Sequence, residues 1–231
     1  MNILELHNIT KKFGSKVALD TIDLTLQPGR IVGLLGTNGS GKTTMIKLIN
    51  DLLTPDQGTI QIDGKKPGID TKKIISYLPE RSYLDPGMKV KEVLDFFNDF
   101  YTDFDMEKAQ ALLQDFSISL DSRIKTLSKG TREKVQLVLV MSRKAKLFIL
   151  DEPMAGVDPA ARDHILDTIL SSYDEKATIL ISTHLIADVE RVLDEVIFLD
   201  HGKITRQEEA DSLRIRTGKS IDQIFREDFR C

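Results

Sequence analysis

Near its start the chain alternates apolar and polar positions in short runs, Ile3-Leu4-Glu5-Leu6 and Ile22-Asp23-Leu24-Thr25-Leu26, separated by polar turns around Gly14 and Pro28-Gly29. A period of two places the apolar side chains on one face, so these runs are predicted antiparallel strands. The texture then changes. Ile31-Val32-Gly33-Leu34-Leu35 is apolar throughout and predicts a strand covered on both faces; a glycine-rich loop follows, then a helical run from Thr44 to Ile49. Gly58–Gly64 reads as an edge strand, and Ile74–Leu78 as another that stops before Pro79. Between Val90 and Leu127 the spacing is helical, with Val93, Leu94, Phe96, Phe97 and Phe100, then Ala109, Leu112, Leu113 and Phe116, which predicts a helical lobe inserted into the sheet domain. Strand patterns return at Leu147–Leu150, Thr178–Ser182 and Glu195–Leu199 with helical segments between them, and that alternation predicts a parallel core sheet. At the end, Ile221, Ile224, Phe225 and Phe229 predict a short amphipathic helix packed on its own domain.

Composition narrows the classes. At 231 residues and 41% hydrophobic, the chain has material for one large core and is not predicted to be disordered. The 32 basic and 36 acidic side chains leave a formal charge of −4, so no bulk attraction for nucleic acid or anionic lipid is expected, and no nucleic-acid partner. A single cysteine, Cys231, excludes an internal disulfide and a cysteine zinc framework. The N-terminal MNILELHNITKK has no basic start followed by a long apolar core, and clusters such as Val135–Met141 are short of a span. The reading is of a chain that neither crosses a membrane nor carries a secretion signal.

Two motifs carry candidate chemistry. Gly36-Thr37-Asn38-Gly39-Ser40-Gly41-Lys42-Thr43 fits G-x-x-x-x-G-K-[ST] between a predicted strand and a predicted helix. Glycines let backbone N–H groups turn toward phosphates, Lys42 reaches the β- and γ-phosphates, and the Thr43 hydroxyl suits magnesium. The second, Leu147–Leu150 followed by Asp151-Glu152, delivers two carboxylates to the C-terminal end of a strand, where ligands bind in open parallel sheets. Alone it could be a buried strand ending in solvated acids. Beside a phosphate loop it reads as a magnesium ligand followed by a residue that orients or deprotonates water.

The order of the phosphate loop, Leu127-Ser128-Lys129-Gly130-Thr131, Leu150-Asp151-Glu152, Ala155-Gly156-Val157-Asp158 and Ile181-Ser182-Thr183-His184 resembles the ATP-binding cassette of ABC transporters over nearly the whole chain. The resemblance implies an α/β fold, a P-loop NTPase parallel core sheet with an antiparallel β subdomain and an inserted helical subdomain. On that pattern, residues about 1–80 and 145–210 form the core with its β subdomain, about 81–144 the helical signature subdomain, and about 211–231 a helical tail. It further implies ATP and Mg2+ as bound species, and a second cassette, identical or different, joined head to tail in an ATP-dependent dimer. Transmembrane permease subunits are the other implied partners, with the chain on the cytoplasmic face of the cell membrane. The implied activity is ATP hydrolysis that powers transport. The text Thr217–Phe225 is similar to the ends of cassettes that serve bacterial exporters, which points to export. The alternatives are a catalytically weak regulatory cassette and a soluble cassette ATPase outside transport.

Carried over residue by residue, the resemblance makes Glu152 and His184 catalytic. Phe13 and the run Gly36, Thr37, Asn38, Gly39, Ser40, Gly41, Lys42, Thr43 and Thr44 bind nucleotide, with Phe13 stacking on adenine. Thr43, Glu80 and Asp151 surround the metal, Asp158 lies in a loop across the dimer interface, and Ser128, Lys129, Gly130 and Thr131 face the partner's nucleotide. Ser128 and the backbone around Gly130 would precede a helix from Arg132, so that a helix N-terminus meets the γ-phosphate. Three positions depart from the family pattern: Lys129 for glycine, Thr131 for glutamine, and Glu80 for the glutamine of the loop after Tyr77-Leu78-Pro79.

Overall fold

The computed structural model describes residues 1–229; Cys231 lies outside the described residues. Strands β1 (Leu4–Phe13), β2 (Lys16–Leu26) and β3 (Ile31–Leu35) precede helix α1 (Lys42–Ile49). Then come β4 (Gln57–Ile62), the one-turn α2 (Ile69–Lys72), β5 (Ile75–Leu78), and helices α3 (Val90–Phe100), α4 (Met106–Asp115) and α5 (Lys129–Met141). The remainder alternates: β6 (Leu147–Asp151), α6 (Pro159–Ser172), β7 (Thr178–Thr183), α7 (Ile186–Val189), β8 (Glu195–Asp200), β9 (Lys203–Glu209), α8 (Ala210–Thr217) and α9 (Ile221–Asp228).

The period-two runs form an antiparallel sheet in the order β2-β1-β4, with Leu4 opposite both Leu26 and Ile62. The continuous apolar runs form a second sheet, β5-β6-β7-β3-β8-β9, in which the first five strands are parallel. Their lack of alternation follows from packing on both faces. Along β6, Leu147 and Ile149 meet the core shared with α1 and the antiparallel sheet, while Phe148 and Leu150 meet the core under the helical lobe and α6. β9 pairs antiparallel with β8 and was not predicted. Its sequence, Lys203-Ile204-Thr205-Arg206-Gln207-Glu208-Glu209, has one large aliphatic residue, so hydropathy carries no strand signal; the turn at His201-Gly202, both with positive φ, reverses the chain and supplies the pairing.

The tail helix α9 starts at a capping box in which Ser220 accepts from the Gln223 amide at 3.1 Å and Gln223 accepts from the Ser220 amide at 3.0 Å. Its buried face stacks Phe225 on Phe229, with ring centroids 4.0 Å apart, against Phe198 of β8.

The helical lobe joins the sheet through Arg143, only 4% exposed. Its guanidinium forks onto both carboxylate oxygens of Asp103 at 3.0 Å, donates to the Ile75 and Lys73 carbonyls at 2.6 and 2.8 Å, and lies 3.9 Å from the Tyr101 ring centroid. Removing one side of a buried charge pair leaves the other uncompensated. Asp103 keeps 24% of its side chain exposed and can be partly rehydrated, so Arg143→Ala is expected to lower stability by about 1.5–3 kcal/mol, the scale of hydrogen bonds to a charged group, read as a shift in the urea midpoint at unchanged slope. A loss below about 1 kcal/mol, the scale of an exposed pair, would show the junction to be held by apolar packing alone.

Candidate functional site

The phosphate loop leaves β3 and enters α1 in a space that excludes side chains at two glycines. A Cβ at Gly36 would come within 2.4 Å of the Leu199 carbonyl oxygen and 2.6 Å of Ser40 Oγ. Gly41 has φ 115°, and a Cβ there would sit 2.7 Å from the Ala18 carbonyl oxygen. The loop is seated on the β8–β9 turn, where the Gly202 amide donates to the Ser40 carbonyl at 2.8 Å. Lys42 opens α1 with its side chain 6% exposed, and Nζ donates to the Gly36 and Thr37 carbonyls at 2.7 and 3.3 Å. Burial draws its ammonium below the ordinary lysine range, against the opposing charges of Glu152, Asp151 and Glu80.

Asp151 ends β6 and is 1% exposed. The hydroxyls of Ser182 and Thr43 stand beside its carboxylate, yet neither oxygen completes a hydrogen bond of ordinary geometry. Burial, with Glu152 and Glu80 nearby, holds its carboxyl above the usual range, partly offset by those two hydroxyls. A buried carboxylate with both oxygens unpartnered, beside the Thr43 hydroxyl, is a donor set that fits a hard divalent cation. Among the described residues no three His, Cys, Asp or Glu side chains converge as a metal cluster, so phosphate and water oxygens would have to supply the other ligands.

Glu152 adopts φ 53°, a left-handed conformation uncommon for a non-glycine residue, and its amide donates to the Ser182 carbonyl at 2.8 Å. Its side chain, 9% exposed, has both oxygens 3.0 Å from His184 Nδ1, accepts from the Thr183 hydroxyl at 3.3 Å, and stands 3.9 Å from Lys42 Nζ. The phosphate-loop cation, the strand-end acid and the histidine thus meet at one point, although 142 positions separate Lys42 from His184. His184 keeps 44% of its side chain exposed on the open side.

The surrounding cleft, about 300 Å³, is bounded by Phe13, Asn38, Gly39, Gly41, Lys42, Thr43, Thr44, Glu80 and Glu152. Gly36, Thr37 and Ser40 form the base of the loop rather than its walls. Phe13 lines the cleft and is 49% exposed, with Lys11 Nζ over its ring at 5.6 Å from the centroid. Lys16 and Ala18 also line it, and neither was expected. Lys16 arrives because it pairs in register with Phe13 across the β1–β2 hairpin, a placement readable only once strand pairing is known. Thr183 and Ser182 are the other participants, and residue type alone does not mark either.

The signature residues stand apart from this cleft. Helix α5 begins at Lys129, one turn earlier than the expected Arg132, because Ser128 serves as its N-cap: Ser128 Oγ accepts from the Thr131 amide at 3.1 Å and lies 2.8 Å from Thr131 Oγ1. Gly130 is consequently inside the first helical turn. Thr131 fills the capping-box position where glutamine was expected, and its hydroxyl meets the cap directly. Asp158 is exposed and precedes Pro159 at the start of α6, making no side-chain cap.

The sequence profile of the ABC transporter family matches residues 19–155. The chain is 33% identical to the ABC transporter ATP-binding protein YtrB of Bacillus subtilis over 92% of its length and 74% of that protein. It is 31% identical to the Nod factor export ATP-binding protein I of Cupriavidus metallidurans, covering 87% of this chain and 69% of that one. In three dimensions it is similar to an ATP-binding subunit of an ABC transporter, with TM-score 0.86, 29% identity, and 97% and 98% of the two chains covered. The ADP conformation of another ABC transporter cassette superposes with TM-score 0.71 at 25% identity over 92% of each chain. Likeness of this extent, on a scaffold that already assembles a phosphate loop with an acidic strand end, places the chain in the ABC transporter family as an ATP-binding cassette.

Proposed function

We propose that this cassette hydrolyses ATP as one of a pair and thereby drives export through separate membrane subunits at the cytoplasmic face of the membrane. The observation that carries hydrolysis is the Glu152 carboxylate. It is nearly buried, oriented by Thr183 and His184, and placed at the mouth of the phosphate loop. Phe13 would hold the adenine, the loop amides and Lys42 the phosphates, and Glu152 would accept the proton of the attacking water. His184, held against the Glu152 carboxylate and 44% exposed, would hold the water and γ-phosphate in line. Asp151 and Thr43 are the residues that would hold Mg2+, which supplies charge neutralisation at the phosphate oxygens; Glu80 borders the same space.

Pairing would bring Ser128, Gly130 and Thr131 of one cassette over the nucleotide of the other, with the loop of Asp158 running across the interface. The membrane subunits have a candidate seat of about 900 Å³ between α1, β5 and the helical lobe, lined by Tyr77, Phe97, Phe100 and Tyr101 and rimmed by Lys72 and Arg81. Phe96 and Phe100, stacked at 6.1 Å, leave aromatic surface exposed beside it. The export direction draws on the name of the Nod factor export relative and on the tail. Glu80 favours one second reading, a regulatory cassette, because its carboxylate adds negative charge near Asp151.

The test is phosphate release by the purified chain with ATP and Mg2+, alone and in membranes reconstituted with a multi-span permease, should one be encoded beside it. Turnover that rises on reconstitution is expected. Tight ATP binding with no release in either state would reject hydrolysis and leave the regulatory reading.

A further inference from the structure

Lys129 occupies the first turn of α5, but its side chain does not project ahead of the helix. It runs back toward Glu133, one turn later, with Nζ 3.8 Å from Glu133 Oε1. The ends of both side chains lie beside Gly156, in the loop that precedes α6; Gly156 is exposed and Lys129 keeps 74% of its side chain exposed. A Cβ at Gly156 would lie 2.9 Å from Lys129 Nζ and 3.1 Å from both Lys129 Cε and Glu133 Oε1. Gly156 has φ 92°, so the loop favours glycine there for its backbone, whereas the Lys129 and Glu133 side-chain ends could yield to a Cβ. A Cβ on Gly130 would likewise face the Gly156 carbonyl oxygen at 3.9 Å. Glu133 is itself largely covered: its other oxygen, Oε2, is buried without a hydrogen-bond partner. Burial pushes the Glu133 carboxyl upward, and Lys129 and Arg132 pull it back.

We propose that Lys129 and Glu133 form an intrachain bracket over Gly156 that fixes the loop carrying Asp158 to the N-terminus of α5, so that Ser128 and Asp158 meet a partner cassette as one pre-set surface. Lys129 is then a positioning residue that acts within its own chain, not a contact to the partner's γ-phosphate. A loop ordered before association does not have to be ordered during it, which strengthens pairing without adding a contact across the interface. The functional half of the inference rests on the reading that two cassettes pair.

The experiment has two arms, and only one needs pairing. Hydrogen exchange is measured on the nucleotide-free chain for amides of residues 154–158, in the parent, Lys129→Gly, Lys129→Arg and Glu133→Gln. Lys129→Gly and Glu133→Gln are expected to raise exchange several-fold, and Lys129→Arg to leave it near the parent. ATP-driven pairing is then measured by light scattering in a Glu152→Gln background. Each loosening change is expected to weaken the dimer about three- to tenfold, and the double change no more than either alone, because both remove one device. Unchanged exchange in Lys129→Gly overturns the bracket. A pairing loss from Lys129→Gly that persists in full beside Glu133→Gln also overturns it, since it assigns the lysine to the partner's phosphate. Faster exchange with no dimer in the Glu152→Gln parent sustains the bracket and overturns the pairing on which its function rests.

Discussion

Glu152→Gln is expected to cut ATP turnover by about 10²- to 10⁴-fold, the range for loss of a positioned general base, while ATP still binds. The amide matches the carboxylate in size, so the packing at the end of β6 persists. What changes is the ability to take a proton from water, and the charge that faces Lys42 Nζ at 3.9 Å and His184 Nδ1 at 3.0 Å. Removing that charge should also favour the bound state, because Glu152 is a nearly buried anion placed next to where polyanionic phosphate would lie. ATP should then be retained between two cassettes, and a nucleotide-dependent dimer should appear in light scattering. Phosphate release within about threefold of the parent, at matched protein folding, would sink the assignment of Glu152 as base. Slow release without a dimer would instead point to a different cassette as the natural partner. His184→Ala separates two contributions: it removes the orienting imidazole but leaves the carboxylate, so residual turnover should exceed that of Glu152→Gln.

Legibility in the sequence followed how local each signal was. The phosphate loop was legible whole, because its glycines, lysine and threonine are contiguous and its function depends on backbone geometry that contiguous residues set. The same holds for β6, whose apolar run and acidic end are one segment. The two-sheet architecture was legible from the switch between alternating and continuous apolar runs, since that switch is the direct consequence of one-sided and two-sided burial. By contrast, β9 was missed because its strand state comes from a neighbour and a turn, not from its own hydropathy. The expected start of α5 fell late because Gly130 weakens the helix signal, whereas the capping hydroxyl of Ser128 moves the boundary to Lys129. Lys16 entered the cleft through register with Phe13, and the left-handed backbone of Glu152 is set by the surroundings of β6 and β7; neither is encoded in residue type. The direction in which Lys129 points depended on the start of α5, since a helix from Lys129 sets Glu133 one turn later on the same face.

Lys42→Ala is expected to weaken ATP binding by about 10- to 150-fold, which is the loss of about 1.5–3 kcal/mol carried by a hydrogen bond from a charged group. In the protein without nucleotide the substitution has two effects. Lys42 Nζ holds the Gly36 and Thr37 carbonyls, and losing it leaves two acceptors near the base of the loop. The ammonium is also a charge held out of water, disfavoured by burial enough to draw its pKa down. These two consequences of removal oppose each other, so the thermal midpoint of the nucleotide-free protein should move little. The affinity loss has no such compensation, since burial makes the ammonium more, not less, effective toward a phosphate that reaches it. Calorimetry on Lys42→Ala and Lys42→Met, each with its own midpoint recorded, separates the cases. Methionine restores the stem without the charge, so it should recover any packing deficit and none of the affinity. ATP affinity equal to the parent in Lys42→Met would show that the loop amides alone bind the phosphates and that the lysine only props the loop. Recovery in methionine but not in alanine would assign the effect to the shape of the loop, and loss in both with steady midpoints would assign it to the charge.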